Sequence, residues 1–114
     1  MNQRDLTLLT DFYELTMMQG YYEKGQNETV IFDVFYRQNP CNGGYAICAG
    51  LEQVIEYVKG LNFTYEDVDY LRSLGIFDEE FLHYLSGFHF SGDIYAIPEG
   101  SVIFPKEPLL KVVA

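Results

Sequence analysis

FHFSGDIYAIPEGSVIFPKEPLLKVVA, residues 88–114, is where this chain changes character. Four short apolar runs, FHF, DIYAI, SVIF and LLKVV, are broken by SGD, PEG and PKEP. Such runs are strand signals, because β-branched and aromatic side chains suit a pleated surface while proline and glycine interrupt the ladder. The pattern predicts an antiparallel meander or a small barrel-like sheet. The last run stops at Lys111-Val112-Val113-Ala114 without a polar tail. An apolar terminal strand leaves an edge that another chain can pair with, so the expectation is a domain cut at its C-terminal end with that edge open.

Upstream the period is helical. Leu51, Val54, Ile55 and Val58 fall at i, i+3, i+4 and i+7, and Gly60 ends the run. Thr64 with Asp67 predicts a capped helix carrying Val68 and Leu71 that Gly75 stops. Asp78 starts another with Phe81, Leu82 and Leu85, which Gly87 stops. Nearer the N-terminus, TDFYELTMMQGYY (10–22) has Asp11 and Glu14 at capping-box spacing, so a helix begins at about Phe12, with Gly25 a plausible stop. Phe12, Leu15, Met18 and Tyr22 make one stripe; Tyr13, Met17 and Tyr21 make a second on another side. One stripe can fill a core and the other needs a partner. TVIFDVFY (Thr29 to Tyr36) reads as a central strand, apolar on both faces, with Asp33 a buried carboxylate that requires a donor or charge partner. RQNPCNGG (Arg37 to Gly44) is a loop. The fold class is α+β, with short helices and a small, mainly antiparallel sheet.

The 114 residues suit one small domain spanning 1–114. Seven Lys and Arg against 17 Asp and Glu give a net charge of -10, a field that repels phosphate backbones and anionic membranes, so no nucleic-acid or membrane partner is expected. The acids at Glu66, Asp67, Asp69 and at Asp78, Glu79, Glu80 stand where helices begin and complement the helix dipole. Cys41 and Cys48 match no short metal or redox motif and are expected reduced, with one or both buried. MNQRDLTLLTD offers no apolar stretch of signal-peptide length, and no run reaches the ~20 residues that span a bilayer, which predicts a cytoplasmic protein.

Four blocks carry a resemblance. TDFYELTMMQGY (10–21), FDVFYRQNP (32–40), GGYAICAGLE (43–52) and IPEGSVIFPKEPLLKV (97–112) resemble, in order, the amino-terminal part of the nicotinate phosphoribosyltransferases. The resemblance implies the N-terminal α/β domain of a type II phosphoribosyltransferase, whose following incomplete α/β barrel is absent from this chain. It implies an activity that joins nicotinate to 5-phosphoribosyl 1-pyrophosphate in NAD synthesis, coupled to ATP hydrolysis through a barrel histidine. ATP and Mg2+ are accordingly cofactors of the parent enzyme, with none held by this chain, and neither His83 nor His89 matches the histidine motif.

Three positions inherit a substrate-binding role from the resemblance. Thr10, Asp11, Phe12 and Tyr13 match the family's T-D-x-Y motif, whose tyrosine crosses a homodimer interface to lie against the pyridine ring in the neighbouring barrel. Asp11 stands either beside that ring or simply as a helix N-cap. Arg37 matches an arginine near the substrate's phosphates, a role that suits a guanidinium fork, though a surface arginine paired with one of many acids reads equally well. Cys41 replaces the aromatic residue that the family most often has after the proline. No catalytic residue and no metal ligand is expected here, and the chain alone is expected to be inactive. Two rival readings remain: a naturally short interaction module derived from the enzyme, and a biotinyl or lipoyl carrier using Lys106, which would have to sit at a tight hairpin tip.

Overall fold

The computed structural model describes residues 5–114; the N-terminal segment inspected for a signal peptide begins outside these, at residues 1–4. Element order is α1 (Phe12–Glu23), β1 (Ile31–Val34), a 3-10 turn (Pro40–Asn42), β2 (Ala46–Ile47), α2 (Leu51–Gly60), α3 (Tyr65–Ser73), α4 (Glu79–Ser86), β3 (Asp93–Ala96), β4 (Val102–Ile103) and β5 (Leu110–Val113). The chain gathers into two compact units, one of residues up to Glu28 plus Lys59–Phe90, the other of Thr29–Val58 plus Ser91–Ala114.

The first unit is helical. Leu15, Phe63, Val68, Leu71, Phe81, Leu82 and Leu85 form its core, with Met18 and Phe77 among the side chains packed against it. The i, i+3, i+4 spacing on α3 and α4 puts these residues on facing stripes. Thr64 and Asp67 form the full capping box at the start of α3. The box expected at α1 does not form. Asp11 holds the N-cap position there, but its side chain makes no cap hydrogen bond. Gly25 ends α1 at φ +62°, a conformation that glycine adopts without a Cβ penalty. Gln19 of α1 ties down the start of α4: its Oε1 accepts from the Asp78 amide at 2.8 Å and its Nε2 donates to the Ile76 carbonyl at 3.3 Å.

The second unit is built on strands whose partners lie far apart in sequence. The three-stranded sheet has the order β1-β5-β3, antiparallel throughout, with Ile31 opposite Val113 and Asp93 opposite Val113 on the other side. A separate antiparallel pair joins β2 to β4. Three sequence expectations change accordingly. No meander forms, because successive strands β3, β4 and β5 are shared between two sheets, and FHF is not a strand. The terminal strand β5 is the sheet's centre, not its open edge. β1 is an edge strand and all four of its residues are exposed, Ile31 and Phe32 at 62% and 65%. Asp33 is therefore exposed, opposite Lys111, and needs no buried partner. Alternating apolar content reports a surface suited to cover; it does not count ladder partners.

Glu99, in the turn before β4, accepts from the amides of Gly50 and Leu51 at 2.9 and 3.1 Å and so caps α2 from a distant loop. Both cysteines are free; Cys41 is exposed and Cys48 half-buried, so neither is in the core.

Candidate functional site

On α1 the two stripes part at the middle of the helix, while Phe12 of the first stripe, edge-on to Phe77, stays 50% exposed at the helix start. Leu15 is buried, Met18 packs on the core, and Tyr22 stacks on Tyr84 with ring centroids 4.8 Å apart. Tyr13, Met17 and Tyr21 of the second stripe stay 56%, 45% and 51% exposed. Tyr13 stands at the second position of the helix, two residues after Asp11, so both side chains belong to one helix start. Hydrogen bonding to the Glu14 carboxylate, and then the charges of Glu14 and Asp11, raise the Tyr13 hydroxyl above its ordinary value. The ring is consequently a neutral phenol at physiological pH.

Arg37 belongs to the second unit and is exposed. It opens a concavity of about 790 Å³ lined by the segment Arg37–Gly43 together with Pro105 and Lys106. Two contacts shape it. The Lys106 amide donates to the Tyr36 carbonyl at 2.8 Å, and the Tyr36 hydroxyl donates toward Asn39 Oδ1 and the Ile103 carbonyl, 2.9 Å from each. Burial, and then the charge of Glu107, raise the Tyr36 hydroxyl, which keeps it a donor. Cys41, Asn42 and Lys106 all have positive φ, at 55°, 54° and 67°, and all three line this concavity. Non-glycine residues adopt that region at a cost, and they gather where a loop's shape is over-determined.

The structure thus brings Asp11 and Tyr13 together and sets Arg37 in a different unit with its own surroundings. Lys106 is the residue that sequence reasoning left out of the site. Only its cation beside Pro105 was legible, since its approach to Arg37 depends on a hydrogen bond between residues 36 and 106. His83 and His89 are exposed. Among the described residues no group of three or more His, Cys, Asp or Glu is placed to hold a metal ion, and no helix is long and apolar enough to cross a membrane. The carrier reading fails on topology: β4 and β5 are not partners, so Pro105–Pro108 is no hairpin tip.

A small α+β domain, with α1, α3 and α4 in one unit and the antiparallel strands with most of α2 in the other, is thus the class that fold and site define. A family model described as the nicotinate phosphoribosyltransferase N-terminal domain matches residues 8–114, and the chain belongs to that family. It is 44% identical over 107 residues to nicotinate phosphoribosyltransferase pncB2 of Mycobacterium tuberculosis, covering 94% of this chain and 23% of the relative. It is 45% identical over 108 residues to nicotinate phosphoribosyltransferase 1 of Arabidopsis thaliana, covering 92% and 19%. Among solved structures, the human nicotinic acid phosphoribosyltransferase superposes with a TM-score of 0.82 at 33% identity, over 92% of this chain and 22% of that one. The chain therefore spans about a fifth of the length of the relatives it matches.

Proposed function

We propose that this chain is the N-terminal part of a longer, cytoplasmic enzyme that joins nicotinate to 5-phosphoribosyl 1-pyrophosphate, giving nicotinate mononucleotide and pyrophosphate. In that enzyme, a homodimer, Tyr13 reaches into the neighbouring subunit's barrel and lies against the pyridine ring, Asp11 stands beside the ring, and Arg37 faces the phosphates. The observation that carries the reading is the second stripe of α1, whose Tyr13, Met17 and Tyr21 are all exposed, while Leu15 and Met18 of the first stripe turn to the core. A flat heteroaromatic acid gains apolar contact and offset stacking from a neutral phenol ring, worth about 1 kcal/mol beyond the area buried. Asp11, whose side chain makes no cap hydrogen bond, has its carboxylate available at the same helix start.

The chain's part in the chemistry is to position substrate. Phosphoribosyl transfer passes through a cationic sugar and expels pyrophosphate, so it calls for substrates held in line and cations at the leaving group. ATP and Mg2+ serve the parent enzyme. Among the described residues no group of three or more His, Cys, Asp or Glu is placed to hold the metal, which is left to the rest of the parent enzyme.

Tyr13→Ala in the complete enzyme tests the reading. We expect KM for nicotinate to rise about tenfold, in line with loss of a stacked ring, with little change in KM for the phosphoribosyl donor. An unchanged nicotinate KM defeats the cross-subunit role. The same exposed stripe would also serve a naturally short interaction module. The intact mass of the natural product separates the two: a mass several times 13.2 kDa supports the enzyme, and one near 13.2 kDa the module.

A further inference from the structure

We infer that Lys106 is the second cation of the anion site at Arg37 and contacts a phosphate group of the phosphoribosyl donor, an inference that rests on the phosphate reading of Arg37. Four observations support it. First, Lys24, Arg37, Lys59, Arg72, Lys106 and Lys111 are the described cations, and two of them line one concavity of about 790 Å³. Second, no Asp or Glu lines that concavity, although the chain carries 17 of them. Third, Arg72 alone among the described residues engages carboxylates at ion-pair distance, so no carboxylate competes with an external anion for Arg37 and Lys106. Fourth, the Lys106 amide is hydrogen-bonded to the carbonyl of Tyr36, the residue before Arg37, and this anchors the two cations to one point of the backbone.

The charge balance favours a phosphate over a weaker anion. A net charge of -10 opposes any anion at long range, but at 0.1 M salt that field decays within about 10 Å, so the local pair decides. A guanidinium fork beside a rotatable ammonium suits an oxyanion with several oxygens and more than one negative charge. Lys106 holds its position at φ 67°, where glycine or asparagine would sit more easily, so a change to asparagine removes the charge without imposing backbone strain.

The test is an NMR titration of the 114-residue chain with inorganic pyrophosphate, inorganic phosphate and nicotinate in turn, following the amides of residues 37–39, 41–43 and 106. We expect saturable shifts at these amides with pyrophosphate or phosphate, the tighter of the two telling whether the donor's diphosphate or its 5-phosphate is bound. Lys106→Met and Lys106→Asn should each weaken binding about tenfold, the loss of one charge-assisted hydrogen bond, with Lys106→Arg close to the unsubstituted chain and Lys111→Met unchanged. Unchanged affinity in both uncharged Lys106 variants, with a loss in Arg37→Met, overturns the inference and leaves the Arg37 reading standing. Unchanged affinity in Arg37→Met overturns that reading. Tighter binding of nicotinate at the same amides, or no saturable shift with either phosphate probe, overturns the assignment of the concavity to phosphate.

Discussion

Tyr13 and Tyr22 sit on one helix and do different work. Tyr22 stacks on Tyr84 at 4.8 Å and touches Phe81 at 6.0 Å, so its ring belongs to the packing of the helical unit. Tyr13 has no aromatic partner among the described residues and is 56% exposed. Their alanine variants should separate cleanly in denaturant unfolding. Tyr22→Ala is expected to lower stability by about 2 kcal/mol, from lost area and stacking. Tyr13→Ala should stay within about 0.5 kcal/mol, as surface changes do, while it damages nicotinate binding in the complete enzyme. A large loss of stability in Tyr13→Ala would make the ring a structural one. The contrast was legible in the sequence, because the 3.6-residue period alone divides these two tyrosines between stripes. The failure of the Asp11 cap was not, since the same spacing caps α3 at Thr64 and leaves α1 uncapped, and side-chain rotamers decide between the outcomes.

At the scale of elements, the sheet depends on β5 lying between β1 and β3. Gly92, just before β3, is where backbone comes closest: a Cβ there would meet the Val113 carbonyl oxygen and the Ala114 Cβ at 2.5 Å. Backbone cannot swing away as a flexible side chain can. Gly92→Ala is therefore expected to cost about 2–3 kcal/mol, read from the unfolding midpoint, whereas Gly44→Ala, with nothing nearby, should leave the midpoint close to its original position. The helices could be read because their determinants are local: Leu51 to Val58 by period, Thr64 with Asp67 by capping, Gly75 and Gly87 as stops. The sheet order could not, because Ile31 pairs with Val113 and Ala46 with Ile103, partners that no local signal connects. The two long-range caps, Glu99 on α2 and Gln19 on α4, were hidden for the same reason. Lys106 joins this group, since its place in the site is made by a contact with Tyr36.

As a whole, the chain belongs to the nicotinate phosphoribosyltransferase N-terminal domain family and spans about a fifth of its relatives' length. One unit presents the exposed Tyr13 ring and the other two cations that line one concavity, without a cluster of metal ligands among the described residues. Purified by itself, it is expected to show no turnover of nicotinate with the phosphoribosyl donor above a protein-free control, and measurable turnover would contradict an incomplete site. The central claim is that Tyr13 acts in trans. It is tested most directly by mixing subunits of the complete enzyme: one variant carrying Tyr13→Ala, the other intact at Tyr13 but inactivated in its barrel, exchanged into heterodimers and assayed for nicotinate mononucleotide. Each heterodimer then holds one site with an intact barrel and an intact partner tyrosine, so activity should return to a substantial fraction of the unsubstituted enzyme. If, at nicotinate well below KM, the heterodimers turn over no faster per intact barrel than Tyr13→Ala alone, the tyrosine serves its own subunit and the account is wrong.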